Sequence, residues 1–369
     1  MLDFKETVRF LTAIPSIAGC EKYAAEKIRE KFGDLFDEIY TDAARNIVLV
    51  KKSKKITENA KRVMLDAHFD EIGMVVSGIT DEGLLRVMPV GGVDRGILPA
   101  SEAWIYTGEK LDGKLYGVFT AIPPHLPNSD KMPEWSDLLI DIGYSKAEAE
   151  KIVAIGDPVG YYYSGDDLLN SRITGRGFDD KACGAALICA AADTPAEELE
   201  YDVYVTLTSG EEVGGGGAAS AAWTIHPEFA VITDVNFALT PGVNGSEGGK
   251  LGGGPMISLS AVTDRKLTKK IREIAKAYEI PNTPVVEATS TGTNASSVVY
   301  VNDGVPAAVV SLPLAGMHSY NELLQLDDAE SFKKLISEII KGIDRPLPAK
   351  PAEDTEKAEE KKEDKEDAE

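Results

Sequence analysis

The chain has 369 residues, 43% of them hydrophobic, and its 61 acidic residues against 39 basic ones give a formal net charge of −22. This length and apolar content are enough for a large core and for two domains. The acidic surplus and the lack of a basic run argue against a nucleic-acid partner, and no segment approaches the roughly 18 apolar residues of a membrane span.

The first ten residues, MLDFKETVRF, contain neither a basic segment nor a continuous apolar stretch. They therefore predict no signal peptide, and we expect a cytoplasmic protein without a membrane partner. Three cysteines, Cys20, Cys183 and Cys189, form no disulfide pattern. Cys183 follows a pair of aspartates and is either a nucleophile or a small buried residue, of which the buried residue is the simpler interpretation.

Alternating helical and strand-like segments along the chain predict an α/β protein. Apolar residues recur at helical spacing near residues 21–32, 181–192, 265–278 and 327–340. Short apolar runs predict strands near residues 46–50, 63–65, 203–208 and 307–312.

Residues 71–165 differ in character from the sequence on either side. They are rich in glycine and in short strand-like runs, Asp112-Gly113 is typical of a hairpin turn, and residues 136–155 include a predicted helix. We expect an inserted, mostly β domain here, which divides a catalytic domain into residues 1–70 and 166–345. Residues 346–369 are predicted to be a disordered acidic tail, because from Lys350 onward ten acids and five bases occur without a large apolar residue.

Five short polar segments carry residues that bind metal ions in other proteins. The four segments LDAHFDEIG, GFDDKACG, TSGEEVGGGG and ITDVN contain His68 and Asp70, Asp179 and Asp180, Glu211 and Glu212, and Asp234, while GMHSYNE contains His318. Zinc-type ions bind imidazole nitrogen and carboxylate oxygen, and a carboxylate can bridge two such ions about 3.5 to 4 Å apart. The segments supply a bridge, ligands for two ions and a spare carboxylate to accept a proton.

Each segment also has a purely structural interpretation. His68 and Asp70 would share one face of an extended chain, so the carboxylate can hold the ring nitrogen, at a metal site or in the core. Asp179-Asp180 can cap a helix that begins near residue 181, and the motif containing His318 and Glu322 can be a surface turn. Glu211 and Glu212 repel each other unless a cation is present. The remaining histidines, His125 and His226, lie beside prolines and are interpreted as structural.

These motifs, in their order and spacing, resemble the TET-type dinuclear metallo-aminopeptidases, some of whose members carry the names glutamyl aminopeptidase or endoglucanase. The resemblance extends to about residue 340. It implies a zinc-exopeptidase type of fold, a central mixed sheet with helices on both faces, and an inserted domain that assembles the subunits into dimers and dodecamers. It also implies two divalent ions per subunit, zinc or cobalt first and manganese as an alternative, and short peptides as substrates.

The resemblance also assigns residues to roles. It makes His68, Asp179 and Asp234 the ligands of one ion, and Asp179, Glu212 and His318 the ligands of the other. Glu211 matches the general acid/base, and Asp70 matches the acid that orients the first histidine. A cis peptide is implied between Asp179 and Asp180.

Four positions depart from the family pattern, namely Lys181, Asn294, Ala315 and Gly316. The changes at Asn294, Ala315 and Gly316 keep open a non-catalytic peptide-binding or assembly protein. A metal-dependent amide deacylase is a further alternative, because motif spacing alone does not distinguish it from an aminopeptidase. A glycosidase would need two carboxylates about 5 to 9.5 Å apart across the scissile bond. It would leave His68, His318 and Asp179 without a role.

Overall fold

The computed structural model describes residues 1–123, 125–126, 131–163, 165–243, 245 and 248–348. The predicted tail from residue 349 onward lies outside the described residues. Helices are α1 (Phe4–Thr12), α2 (Ala25–Phe32), α3 (Lys146–Ala149), α4 (Phe178–Asp193), α5 (Gly217–Ile225), α6 (Arg265–Ala277), α7 (Ala295–Val298) and α8 (Leu326–Ile340).

Seventeen strands are found among the described residues. They are β1 (Glu38–Thr41), β2 (Ile47–Lys51), β3 (Arg62–His68), β4 (Gly73–Ile79), β5 (Leu85–Val90), β6 (Glu102–Thr107), β7 (Gly113–Phe119), β8 (Leu139–Asp141), β9 (Pro158–Tyr161), β10 (Asp167–Leu168), β11 (Arg172–Gly175), β12 (Asp202–Thr208), β13 (Phe229–Phe237), β14 (Met256–Ser260), β15 (Thr283–Glu287), β16 (Ala307–Leu314) and β17 (Glu322–Gln325).

A mixed eight-stranded sheet forms the centre of the molecule, with strand order β1-β2-β12-β3-β13-β16-β14-β15. Strands β12, β3, β13 and β16 run parallel to one another. The flanking strands β2 and β14 are antiparallel to β12 and β16, respectively. Parallel strands are covered on both faces, and this explains the nearly continuous apolar runs that identified them in the sequence.

Helices cover both faces of this sheet, as the resemblance implied. On one face α1, α4 and α8 pack with Leu65, Val205 and Val310 in the larger core. On the other face α5 and α7 pack against Met64, Ile232 and Val309. Helix α4 is buried along almost its whole length, because its small side chains allow it to lie between the sheet and two other helices.

A second structural unit lies within residues 73–161, where six strands close into a barrel in the order β4-β5-β8-β7-β6-β9. The barrel has its own apolar core, which includes Met74, Val87 and Ile105. The predicted hairpin is present, but its turn spans residues 108–112, and Gly113 already pairs with Thr107 in the ladder of β6 and β7. The helix predicted within residues 136–155 is reduced to α3, a single turn whose capping box joins Ser145 and Glu148.

The described residues contain no helix that is both long enough and apolar enough to cross a membrane.

Candidate metal centre

The metal-ligand candidates meet at one edge of the large sheet. His68 is the last residue of β3, Asp234 lies near the end of the parallel strand β13, and Glu211 and Glu212 follow the end of β12. Because the carboxyl ends of neighbouring parallel strands lie at the same edge, these side chains converge. Asp179, at the start of α4, and His318, after β16, complete the group.

Two sets of three side chains result, and they share Asp179. His68 Nε2 is 2.9 Å from Asp179 Oδ1 and 3.8 Å from Asp234 Oδ1. On the other side, His318 Nε2 is 3.2 Å from Asp179 Oδ2 and 3.3 Å from Glu212 Oε1. Within each set the potential ligand atoms all lie within 4.8 Å of one another. Asp179 therefore directs one carboxylate oxygen to each set.

The pKa values reflect a surplus of negative charge. Burial would lower the pKa of His68, but Asp179, Asp234 and Asp70 hold it well above its ordinary value. Hydrogen bonds to Asp179 and Glu212 raise the pKa of His318 to about 10. Burial, reinforced by neighbouring carboxylates, raises the pKa of Asp234 well above its ordinary value. The carboxylates of the site therefore share too few positive charges.

The chemistry of the side chains fits divalent cations. Each set offers one imidazole nitrogen and two carboxylates, which are ligand types that zinc and related ions accept. The Nδ1–H group of His68 donates to the Asp70 carbonyl oxygen at 2.9 Å, so Nε2, which faces Asp179, is the nitrogen that could bind a cation. The residues that could hold metal are therefore His68, Asp179 and Asp234 on one side and Asp179, Glu212 and His318 on the other.

Asp70 lies beside His68, and its backbone carbonyl makes the shorter contact with the ring. Its carboxylate Oδ1 is 3.6 Å from His68 Nδ1, too far for a hydrogen bond, and the ring is held by the Asp70 backbone instead. The carboxylate accepts the backbone N–H groups of Glu211 and Glu212, both at 3.1 Å. Although β3 ends at His68, the Asp70 carboxylate still lies near the His68 ring.

Glu211 lies beside both ligand sets without belonging to either. Burial raises the pKa of its carboxyl group, while the nearby histidines lower it. A carboxylate with a raised pKa that is not needed as a ligand suits proton transfer.

The interpretation of Glu322 as part of a surface turn is wrong. This residue is fully buried, and its carboxylate accepts the backbone N–H of Phe178 at 2.6 Å and that of His318 at 3.2 Å. It thus ties together the two chain segments that carry the bridging aspartate and the last histidine. Nothing in local sequence marks this role, because it depends on a contact across 144 positions.

The barrel also reaches the site. Tyr161 of β9 lines the small cavity beside Asp179 and His318. A Cβ atom at Gly92, in the loop after β5, would lie only 2.9 Å from His318 Nδ1, so this position requires glycine. The predicted inserted segment therefore contributes directly to the wall around the second ligand set.

Other predicted features are also placed by the structure. The Asp179-Asp180 peptide bond is cis, and the backbone at both residues departs from helical geometry. Neither oxygen of the Asp180 side chain has a hydrogen-bond partner, so this residue does not cap α4. Burial raises the pKa of Cys183 well above its ordinary value, which disfavours a nucleophilic thiolate. His125 and His226 belong to neither ligand set.

Both the sequence and the fold are similar to those of known peptidases. Residues 46–335 match the family model described as M42 glutamyl aminopeptidase. A lysyl aminopeptidase of Pyrococcus furiosus is 32% identical over 348 residues, which cover 92% of this chain and 97% of that protein. A glutamyl aminopeptidase of Lactococcus lactis is 24% identical, and the match covers 93% of this chain and 97% of that protein.

Two solved structures are similar over nearly the whole chain. An aminopeptidase from Desulfurococcus kamchatkensis superposes with a TM-score of 0.84 and 30% identity, covering 92% of this chain and 94% of that one. The TET1 peptidase of Pyrococcus horikoshii has a TM-score of 0.80 and 35% identity, with coverage of 92% and 99%. The chain therefore belongs to the M42 glutamyl aminopeptidase family.

Proposed function

We propose that this protein removes N-terminal residues from short peptides, using two divalent metal ions and Glu211 as the general acid/base. Family membership supports a peptide hydrolase of the aminopeptidase type. The observation that carries the finer proposal is Asp179, which presents one oxygen to the set with His68 and the other to the set with His318. Zinc or cobalt fit these ligands, and manganese is an alternative.

Bound divalent ions would acidify a water molecule and polarise the scissile carbonyl group. Glu211 is the protein group available to take a proton from that water and to return it to the departing amine. Because its pKa is raised, Glu211 can hold this proton at neutral pH until the amine departs. Asp70 fixes Glu211 and Glu212 by accepting both of their backbone N–H groups, so it acts as a positioning residue.

Glu322 has a similar positioning role on the other side of the centre. By accepting the N–H groups of Phe178 and His318, it fixes the two loops that must approach each other for Asp179 and His318 to share an ion. Neither positioning carboxylate needs to contact the substrate.

Assembly into oligomers is part of the proposal. One related protein, the TET1 peptidase of Pyrococcus horikoshii, can assemble into a tetrahedron or a large octahedral shell. We infer that residues 71–165 form an inserted domain that mediates a comparable assembly here, and that residues 1–70 and 166–345 form the catalytic domain. Light scattering coupled to gel filtration would test this, since a monomer at micromolar concentration would contradict it.

The activity is tested with short peptides that carry either a free or an acetylated N-terminus, before and after removal of metal with a chelator. We expect release of free amino acid from unblocked peptides only, its loss on chelation, and its recovery on adding zinc or cobalt. Cleavage of acetylated substrates would favour a deacylase. Absence of any cleavage in protein that binds two ions would favour a peptide-binding relative.

A further inference from the structure

Helix α6 carries an excess of basic side chains. Its 13 residues include six lysines and arginines and one acid, Glu273, in a chain whose formal net charge is −22. No other helix among the described residues has such a surplus. The apolar residues of α6, which include Ile271 and Ile274, pack into the larger core, so most of the basic side chains point outward and are exposed.

A cleft lies between α6 and the strands β14 and β15, and is called the α6 cleft below. Its volume is about 710 Å³, and it is lined by Arg265, Lys269 and Arg272 of the helix and by apolar residues such as Val286. Among the described residues, no acidic side chain lines this cleft. Within the same part of the chain, Arg265 and Arg272 form no ion pair, and Lys269 contacts Glu273 alone, at 3.7 Å. The α6 cleft therefore suits an anionic occupant.

The last described residues of the chain contact α6. Asp344 forms an ion pair with Lys270, and the Arg345 guanidinium group lies 5.1 Å from the ring centre of Tyr278, the residue that ends the helix. Leu347 then packs against the larger core. The acidic tail of the chain therefore begins a few residues after two contacts with the basic helix.

The tail has a charge that complements the helix. Residues 350–369 contain ten acids and five bases, so their net charge is equal in size and opposite in sign to that of α6. Twenty residues span up to about 70 Å when fully extended, whereas a helix of 13 residues is about 20 Å long. The tail is therefore long enough to reach every cation of the α6 cleft.

We propose that residues 350–369 dock on the α6 cleft of their own chain, where their carboxylates pair with Arg265, Lys269 and Arg272. This inference does not depend on the proposed peptidase function. Each exposed ion pair contributes little by itself. Because the segment is tethered beside the cleft, its effective concentration is on the order of millimolar, so several weak pairs together hold it. The contact shields the basic helix from other anions and weakens as salt is raised.

Carbodiimide cross-linking of the full-length protein tests the docking, since the reagent joins a lysine amine to a carboxylate in contact with it. We expect Lys269 to be linked to acids of residues 350–369 at about 20 mM salt, and the link to be lost at about 0.5 M salt, where charges are screened within a few ångströms. Lys334 is the internal reference. It is exposed and donates to the Tyr278 carbonyl at 3.0 Å, so it lies beside the end of α6 but outside the cleft, and we expect it to be linked far less.

A pair of double variants isolates the role of charge. Arg265→Glu with Arg272→Glu reverses two cations of the cleft and keeps Lys269 as the reporter, and its linking should fall about tenfold because two weak pairs become repulsive. Both arginines are exposed, and a glutamate in the first turn suits the helix dipole, so this protein should fold. Lys27→Glu with Lys52→Glu reverses two exposed cations outside the cleft and should keep the wild-type yield.

Equal linking of Lys269 and Lys334, or a yield that survives the arginine reversal, would overturn the proposal, and so would absence of any link to Lys269 at low salt. Mixing isotopically labelled and unlabelled protein before the reaction shows which copies are joined. Links between differently labelled copies would assign the α6 cleft to the tail of a neighbouring copy and overturn docking within one chain. No step of this test measures peptide hydrolysis, so a failure of the proposed activity leaves its result unchanged.

Discussion

Two buried clusters of charged side chains lie side by side at the start of α4, and they are balanced in different ways. In the first, Glu71 pairs with Arg176 and lies 3.3 Å from Lys181 Nζ. The remaining donors are also used, since Lys181 donates to the Ile14 carbonyl at 2.9 Å and Arg176 donates to the Tyr106 hydroxyl at 3.1 Å. This cluster is satisfied by protein atoms alone.

The second cluster, the candidate metal centre, is not balanced by the atoms of the chain. Asp179, Asp234, Glu211 and Glu212 outnumber its two histidines, and Asp180 beside them has two buried oxygens without a partner. A buried charge is stable only when it is paired. The difference separates a structural ion cluster, which is complete within the chain, from the candidate metal centre, whose carboxylates a bound cation would balance.

The largest expected effect comes from removing the shared ligand. Asp179→Ala should lose both metal ions and all peptidase activity, because each ligand set loses one of its three members. Metal content after dialysis, measured by mass spectrometry, and peptide hydrolysis report the result. The variant should still fold, since the change also removes one of several mutually repelling carboxylates. Retention of two ions per chain would contradict the role of Asp179 as the bridge.

Glu211→Gln should separate proton transfer from metal binding at the second cluster. We expect turnover to fall by about 10²- to 10⁴-fold, the usual contribution of a positioned acid/base, with metal content equal to wild type. The Asp70 hydrogen bond to the backbone N–H at this position is unaffected by the change. Full activity in this variant would show that another group transfers the proton.

In the satisfied cluster, the expected effect is on stability. Glu71→Gln leaves the buried cations of Arg176 and Lys181 without their counter-ion, and we expect a loss of about 3 to 5 kcal/mol in the free energy of unfolding. Urea unfolding of the chelated protein measures it. Asp81→Asn, which breaks an exposed pair with Lys146, is the control and should leave the unfolding midpoint unchanged. Equal midpoints for both variants would mean that the cluster contributes nothing.

The smallest expected effect depends on pH and concerns Asn294, a departure from the family pattern. Its amide donates to Asp66 Oδ2 at 3.0 Å, and burial raises the pKa of Asp66 to about 6. Asn294→Asp would place a second carboxylate there and raise the pKa of the pair further. The folded state then binds more protons than the unfolded state, so stability falls as pH rises through these values.

Near pH 5 the Asn294→Asp variant should unfold at almost the wild-type urea concentration. At pH 8 it should be less stable by about 1 to 3 kcal/mol, since each unit of pKa shift corresponds to about 1.4 kcal/mol. An equal loss at both pH values would indicate a packing defect instead.

Much of the fold followed from local pattern. The helix predicted over residues 265–278 is α6, Arg265–Ala277, where Asp264 caps the first turn by accepting the N–H of Leu267. The predicted strand 203–208 is β12. By contrast, local pattern does not predict α5, because its sequence GAASAAWTI has no amphipathic alternation, and it does not predict β15 because Pro284 interrupts the strand pattern.

The role of Glu211 as the general acid/base is a prediction from the family resemblance. The sequence by itself determined the α/β class and the set of ligand types. These depend on residue chemistry and on short-range periodicity, which local sequence contains. Only the tertiary structure decided that the Asp70 carboxylate accepts the backbone N–H of Glu211. The same holds for buried Glu322, whose carboxylate accepts the backbone N–H of Phe178, and for Lys181, which lies in a buried ion cluster with Glu71. Each of these depends on which distant backbone groups meet a carboxylate once the strands pair, and no local pattern encodes that.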